Sequence, residues 1–122
     1  MAQKNIELLI KDLSCRIPYG VIVNVSGISN VKLTSVSWYG EVGVDDGSTY
    51  LYPISEVKPY LFPLDSMTEE QKEEWKSLLI RESFGTSDNV FTPQDFYSKY
   101  HLDYRGLIPM GIALDATNIN VY

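Results

Sequence analysis

The first part of the chain has apolar residues at helical spacing. Four of them fall on one face when residues 5–16 are wound into a helix: Ile6, Leu9, Ile10 and Leu13. Asn5 suits the N-cap of this helix, because its side-chain oxygen can accept a hydrogen bond from a backbone N–H of the first turn. Pro18 forces an end nearby. The pattern predicts an amphipathic N-terminal helix over residues 5–16.

Residues 19–62 are rich in β-branched and aromatic residues separated by turn residues, which is typical of short strands. Asp45-Asp46-Gly47 is a strong hairpin signal, because glycine supplies the positive φ of a tight turn. The spacing predicts an antiparallel β-meander of four or five strands, with closure into an SH3-like barrel as a finer alternative. Three prolines then predict an edge strand or an ordered loop, because proline cannot donate to a ladder: Pro53, Pro59 and Pro63.

Residues 66–114 are predicted to be mainly helical. Ser66 and Glu69 fit a capping box at the start of a second helix, which should end near residues 84–85. Thr92 and Pro93 begin a third helix, with Pro93 at its first position. A hydrophobic staple is expected between two aromatic residues at this start: Phe91 and Phe96.

Two stretches near the end of the chain are ambiguous. Residues 107–114 are apolar but contain Pro109 and Gly111, so they predict a short helix, with a strand as the alternative. The final eight residues are expected to be loose or to form an edge strand. The whole pattern predicts one α+β domain over residues 1–122: a helix, a meander, and two or three further helices.

Composition and charge disfavour several functions. The chain has 122 residues and a net charge of −6, and its ten Lys and Arg residues are scattered. A nucleic-acid-binding protein usually has a basic patch, so nucleic acid and an anionic membrane surface are disfavoured. Cys15 is the only cysteine, and no signal peptide or long apolar run is visible. These features predict a cytoplasmic protein.

Catalytic and metal-binding patterns are weak. Cys15 and His101 could form a nucleophile and a base, but no nucleophile motif flanks Cys15, and the sequence favours a small packing role for it. His101 and Asp103 offer two metal-ligand types, whereas zinc usually needs three or four protein ligands. Phosphate-binding and dinucleotide-binding glycine patterns are absent from the sequence. No cofactor and no metal are therefore predicted.

Two groups of residues are candidates for partner binding. Asp103, Tyr104 and Arg105 form a polar cluster in which the guanidinium could clamp a carboxylate or phosphate, or make an internal pair with an aspartate. The second group is aromatic and could form a binding face for a peptide or belong to the core: Trp38, Tyr39, Tyr50, Tyr52, Tyr60 and Phe62. Trp38, Tyr39 and Tyr60 are the candidates taken from this group.

Four sequence blocks together resemble a group of small uncharacterised proteins from gut-commensal bacteria and their prophages. The blocks are LSCRIPYGV (13–21), VKPYLFPL (57–64), SMTEE (66–70) and DYRGLI (103–108). Members of that group tend to carry Arg where Phe62 stands here, which makes the proline-rich edge less basic in this chain. The resemblance implies a phage or mobile-element context and a cytoplasmic location, and it carries no known activity.

Three functional hypotheses follow. The first is a non-enzymatic module that binds another protein, since the sequence lacks a catalytic pattern and has nine tyrosines. The second is a nucleic-acid-associated accessory protein, which requires a local basic stripe: Lys11, Arg16, Lys32 and Lys58. The third is a small enzyme that uses His101 and Asp103, or Cys15. The oligomeric state is not indicated by the sequence.

Overall fold

A computed structural model describes residues 2–26, 28–83 and 92–122. The described residues form three α-helices, which are α1 (Gln3–Arg16), α2 (Glu69–Ser83) and α3 (Pro93–Lys99). The strands are β1 (Ile22–Val25), β2 (Ile28–Val36), β3 (Glu41–Val44), β4 (Tyr52–Pro53), β5 (Val57–Pro63), β6 (Leu102–Asp103) and β7 (Leu114–Asp115). Short 3₁₀ helices span Ile17–Tyr19, Ile54–Glu56 and Leu64–Ser66. The α+β prediction is confirmed.

The strands form one mixed sheet that is larger than the predicted meander. Their order is β4-β3-β2-β1-β5-β6, and β7 also pairs with β5. Each pair of neighbours in the series β4-β3-β2-β1-β5 is antiparallel, whereas β6 and β7 pair with β5 in parallel. Strands of two residues carry no alternation pattern, so β6 and β7 were not predictable from periodicity. No ladder in the described ranges joins β4 to β5 or β6, and barrel closure stays a prediction.

Pro59 and Pro63 lie in the interior strand β5, which corrects the prediction of an edge or loop for these two prolines, whereas Pro53 lies in β4, the end strand of the described order. Pro59 pairs with Val23 in the last antiparallel pair with β1, and the parallel pairing with β7 begins one residue later at Tyr60. Pro63 is the last residue of β5. Both prolines therefore lie at the end of a ladder, where a missing N–H costs least.

Helix α1 begins two residues before its predicted start. The backbone N–H of Asn5 donates to the Ala2 carbonyl at 3.0 Å, so Asn5 lies inside the first turn and the predicted N-cap is wrong. The predicted apolar face is confirmed, because Leu9 and Leu13 are fully buried and the other two residues pack against the core. The proline-containing 3₁₀ turn at Ile17–Tyr19 follows directly.

Helices α2 and α3 both begin with a capping box, and the sequence predicted the position of the second box but not of the first. At α2 the reciprocal bonds join Thr68 and Gln71, while the Ser66 hydroxyl donates to the Pro63 carbonyl, so the predicted Ser66–Glu69 box is wrong. At α3 the predicted start is confirmed, with Thr92 as N-cap in a capping box with Asp95. The expected staple partner Phe91 and the expected end of α2 at residues 84–85 lie outside the described residues.

Residues 107–122 contain turns and β7 instead of a third C-terminal helix. Gly106 and Gly111 both have positive φ and interrupt any helical run. The end of the chain is held at Tyr122. Its hydroxyl donates to the Tyr60 carbonyl at 2.7 Å and accepts the Ile22 N–H at 3.0 Å. Burial raises the pKa of Tyr122 to about 12. Tyr122 therefore ties this segment to β1 and β5.

Two apolar clusters fill the interior. The larger one joins α1 to the sheet and includes Leu9, Val23 and Leu61. The smaller one lies between α2, α3 and β6 and is built on Leu78, Phe96 and Leu102. Within the described ranges, no helix combines the length and apolar character that crossing a membrane requires.

We expect Tyr122→Phe to lower the free energy of unfolding by about 1 kcal/mol, because a phenylalanine ring retains the packing but loses both hydrogen bonds. Urea denaturation followed by circular dichroism measures this change. Tyr50→Phe is the matched control, since Tyr50 is largely exposed and should leave the stability unchanged. Equal stability of Tyr122→Phe and the wild type would show that the hydroxyl does not anchor the segment.

Candidate binding surface

The turn between β2 and β3 holds two of the predicted aromatic residues in a braced conformation. The Ser37 N–H donates to the Glu41 carbonyl at 2.8 Å, and the Glu41 N–H donates to the Ser37 hydroxyl at 2.9 Å. Gly40 has φ +91° and its carbonyl accepts the Ile54 N–H at 2.9 Å. The turn is therefore tied to the 3₁₀ helix that precedes β5.

Trp38 and Tyr39 project from this turn into solvent. Trp38 is 85% exposed and Tyr39 is 58% exposed. Their rings meet edge to face, with centroids 5.4 Å apart and planes at 87°. Large aromatic side chains with this exposure are enriched at the centres of protein interfaces, where they bury a large area at low entropic cost.

A groove of about 420 Å³ runs from these rings toward the start of α1. This volume lies within the range of small-ligand and peptide sites. Its apolar lining comes from Ile6, Ile54 and Pro53, and Gly40 lies beside them with a positive φ that favours glycine. The described residues that line the groove are Gln3, Ile6, Glu7, Trp38, Tyr39, Gly40, Pro53, Ile54 and Ser55.

The groove has a negative charge. Glu7 is its only charged side chain among the described lining residues, and it accepts a hydrogen bond from the Gln3 amide at 3.3 Å. The whole chain carries a net charge of −6. A partner with positive charge beside an apolar segment would complement this surface.

The remaining predicted aromatic residues do not join this surface. Tyr60 is buried in β5, where its carbonyl accepts the Tyr122 hydroxyl, so it fits the core alternative and not an exposed binding face. Tyr50 is exposed but packs on Tyr52, which pairs with Val42 in the β3–β4 ladder, and the two ring centroids are 4.7 Å apart. Phe62 is half-buried against the smaller apolar cluster. The predicted aromatic face is thus divided by the fold.

The predicted Asp103-Tyr104-Arg105 cluster is part of the interior. The Asp103 carboxylate accepts the backbone N–H groups of Leu107 and Ile108 at 2.7 and 2.9 Å. The Arg105 Nε donates to Asp12 at 3.1 Å, and its guanidinium lies over the Tyr104 ring. These contacts favour the internal-pair alternative over an anion clamp, although the partner of Arg105 is Asp12 and not Asp103.

Sequence reasoning missed Asp12 and the role of Arg16. Arg16 is fully buried and donates from Nε to Asp12 at 2.8 Å and from its terminal nitrogen to the Leu102 carbonyl at 2.6 Å. Their spacing of four positions was the available signal, since it places both charges on one helix face. Because Arg16 is buried, it cannot contribute to the basic stripe required by the nucleic-acid hypothesis.

Three residues considered for catalysis have separate structural partners. Cys15 accepts a hydrogen bond from the Gln94 amide at 2.9 Å, and the His101 ring stacks on Tyr122 with centroids 3.8 Å apart. Asp103 binds the backbone as described above. Burial, with a smaller effect from Arg16, lowers the pKa of His101 to about 4. Within the described ranges, no three His, Cys, Asp or Glu side chains are grouped to hold a metal ion.

Among the residues predicted from the sequence to bind a partner, Trp38 and Tyr39 are therefore the two that the fold leaves exposed beside a groove. No family model, curated protein or solved structure matches the chain. No relative therefore indicates a ligand for this groove.

We expect Asp12→Asn to lower the free energy of unfolding by about 3 kcal/mol, because it leaves the buried Arg16 without its ionic partner. Thermal and urea denaturation measure the loss. Glu69→Gln is the control, since Glu69 pairs with Lys72 on an exposed helix face and should leave stability unchanged. A small effect of Asp12→Asn would mean that hydrogen bonding, and not charge, holds the network.

We expect His101 to make the protein less stable as the pH falls from about 6.5 to about 4. Between these pH values His101 is protonated in the unfolded chain but not in the folded protein, which lowers the free energy of unfolding by up to about 3 kcal/mol. Below a pH of about 4 the folded protein is protonated as well, and the loss grows no further. His101→Asn is the test variant, because asparagine tolerates the φ of +57° at this position. Its stability should fall less steeply with acid than that of the wild type, whereas parallel curves would contradict the expectation.

Proposed function

We propose that this protein is a non-enzymatic interaction module that binds a segment of a partner protein in the groove beside Trp38. The observation that carries the proposal is a tryptophan that is 85% exposed on a hydrogen-bonded turn. A braced turn fixes the backbone that carries the aromatic side chains before binding, which reduces the entropy lost on association.

The surroundings of the groove support this function. Ile6, Pro53 and Ile54 give an apolar lining, and Glu7 adds a negative charge at the side. An apolar centre with a polar border is the usual composition of a protein-binding site. The polar side chains of Asp103 and Arg105, by contrast, are engaged in internal hydrogen bonds.

The proposed setting is the cytoplasm, in a phage or mobile-element context. The single cysteine is consistent with a reducing compartment. We propose this context because four sequence blocks resemble a group of small uncharacterised proteins from gut-commensal bacteria and their prophages. In the finer fold proposal, β1–β5 form an SH3-like barrel, because β1 pairs with both β2 and β5 and a 3₁₀ helix precedes β5.

Selection from a random peptide library on the immobilised protein tests the function. We expect wild-type protein to enrich peptides whose affinity falls at least about tenfold in Trp38→Ala, the size of a hot-spot truncation. Since Trp38 packs little, this variant should keep the wild-type circular dichroism spectrum and stability.

Tyr50→Ala is the matched control, because Tyr50 is also an exposed aromatic residue but is not among the residues that line the groove. Peptides that bind wild type and Tyr50→Ala equally, and Trp38→Ala weakly, would support the proposal. A library that yields no peptide, or only peptides indifferent to Trp38, would overturn it.

A further inference from the structure

We propose that the groove beside Trp38 takes a proline-rich segment in the polyproline II conformation that carries a basic residue next to its prolines. This inference rests on the proposed function and names the chemistry of the partner. Four features of the groove lead to it: the angle between the aromatic rings, the short strand at its border, its partly polar wall, and its charge.

The two rings form a notch that suits a polyproline II helix. Trp38 and Tyr39 stand at 87° with centroids 5.4 Å apart, so they present an angled pair of apolar surfaces. A polyproline II helix has three residues per turn and a ridge-like cross-section, and its pyrrolidine rings pack well in aromatic-lined grooves. It is also ordered before binding, so the complex loses little conformational entropy.

A partner strand added to the sheet fits this border less well. β4 borders the groove and is the end strand of the described ladder order. It has two residues, and one of them, Pro53, has no backbone N–H to donate. An added strand needs a row of free backbone donors and acceptors, which so short an edge does not offer.

An amphipathic helix also fits less well, because the groove is apolar on only part of its wall. Gln3, Glu7 and Ser55 line the remainder. A bound helix satisfies its own backbone and buries an apolar face in an apolar groove. A polyproline II segment instead leaves its carbonyls unbonded, so polar side chains such as Gln3 and Ser55 can serve as donors to it.

The negative charge of the groove favours a basic residue beside the prolines of the bound segment. Glu7 gives the described lining a single negative charge, and no lysine or arginine is among those residues. The overall charge of −6 adds a long-range preference for a positive partner. Arg or Lys near one end of the proline-rich segment would therefore be attracted, and an acidic residue there would be repelled.

The test uses the full chain and a short synthetic peptide of repeated Pro-Pro-Leu units with an arginine at each end. Two control peptides replace the arginines by glutamates, or alternate prolines by alanines. Binding is followed by isothermal titration and by the indole N–H signals in a ¹⁵N–¹H spectrum. The chain has two tryptophans, and the half-buried Trp75 provides an internal reference.

We expect the arginine peptide to shift the Trp38 indole signal and not that of Trp75. Both control peptides should bind at least about threefold more weakly, and added salt should reduce the difference between the arginine and glutamate peptides. Trp38→Ala should weaken binding at least about tenfold. Glu7→Gln should reduce the preference for arginine, whereas the distant Glu69→Gln should not.

The outcomes separate this inference from the proposed function. If the arginine peptide binds without dependence on Trp38, or binds no better than its controls, the inference is overturned. If the random library yields Trp38-dependent peptides that lack proline, the inference fails while the interaction module stands. If neither the library nor the synthetic peptide gives binding at Trp38, both proposals fail.

Discussion

The carboxylate of Asp12 lies in the interior between two guanidinium groups, and the position of α1 against the C-terminal part of the chain depends on it. One oxygen accepts from Arg16 Nε, and the other accepts from Arg16 and Arg105. Burying three charges is expensive unless every partner is present and well oriented. Arg16 also reaches the Leu102 carbonyl, so the network joins α1 to β6 and to the turn that follows it. These elements must therefore assemble together.

The same network determines where the groove can form. It fixes the C-terminal end of α1, while Leu9 and Leu13 hold the helix against the sheet. The first turns of α1 then form one wall of the groove through Gln3, Ile6 and Glu7. A binding surface built between a docked helix and a hydrogen-bonded turn keeps its shape in the absence of a partner, which favours affinity.

The sequence predicted the elements with strong local signals and missed those defined by long-range contacts. The face of α1, the start of α3 at Thr92 and the antiparallel strands follow from periodicity and capping, which act within a few residues. β6 and β7 are two residues long and exist because they pair with β5. The position of Pro59 inside the sheet also depends on tertiary pairing, since no local pattern shows where two ladders meet.

The candidate site shows the same limit, because aromatic residues look alike in a sequence and differ in their surroundings. Trp75 lies 5.4 Å from Phe96 in the smaller core, and Tyr97 stacks on Tyr104 at 4.5 Å. Trp38, by contrast, stays exposed to solvent. Burying an indole ring would contribute about 4 kcal/mol to folding at the usual coefficient for apolar area. Folding leaves that contribution unused at the β2–β3 turn. It is therefore available to a partner that covers the ring.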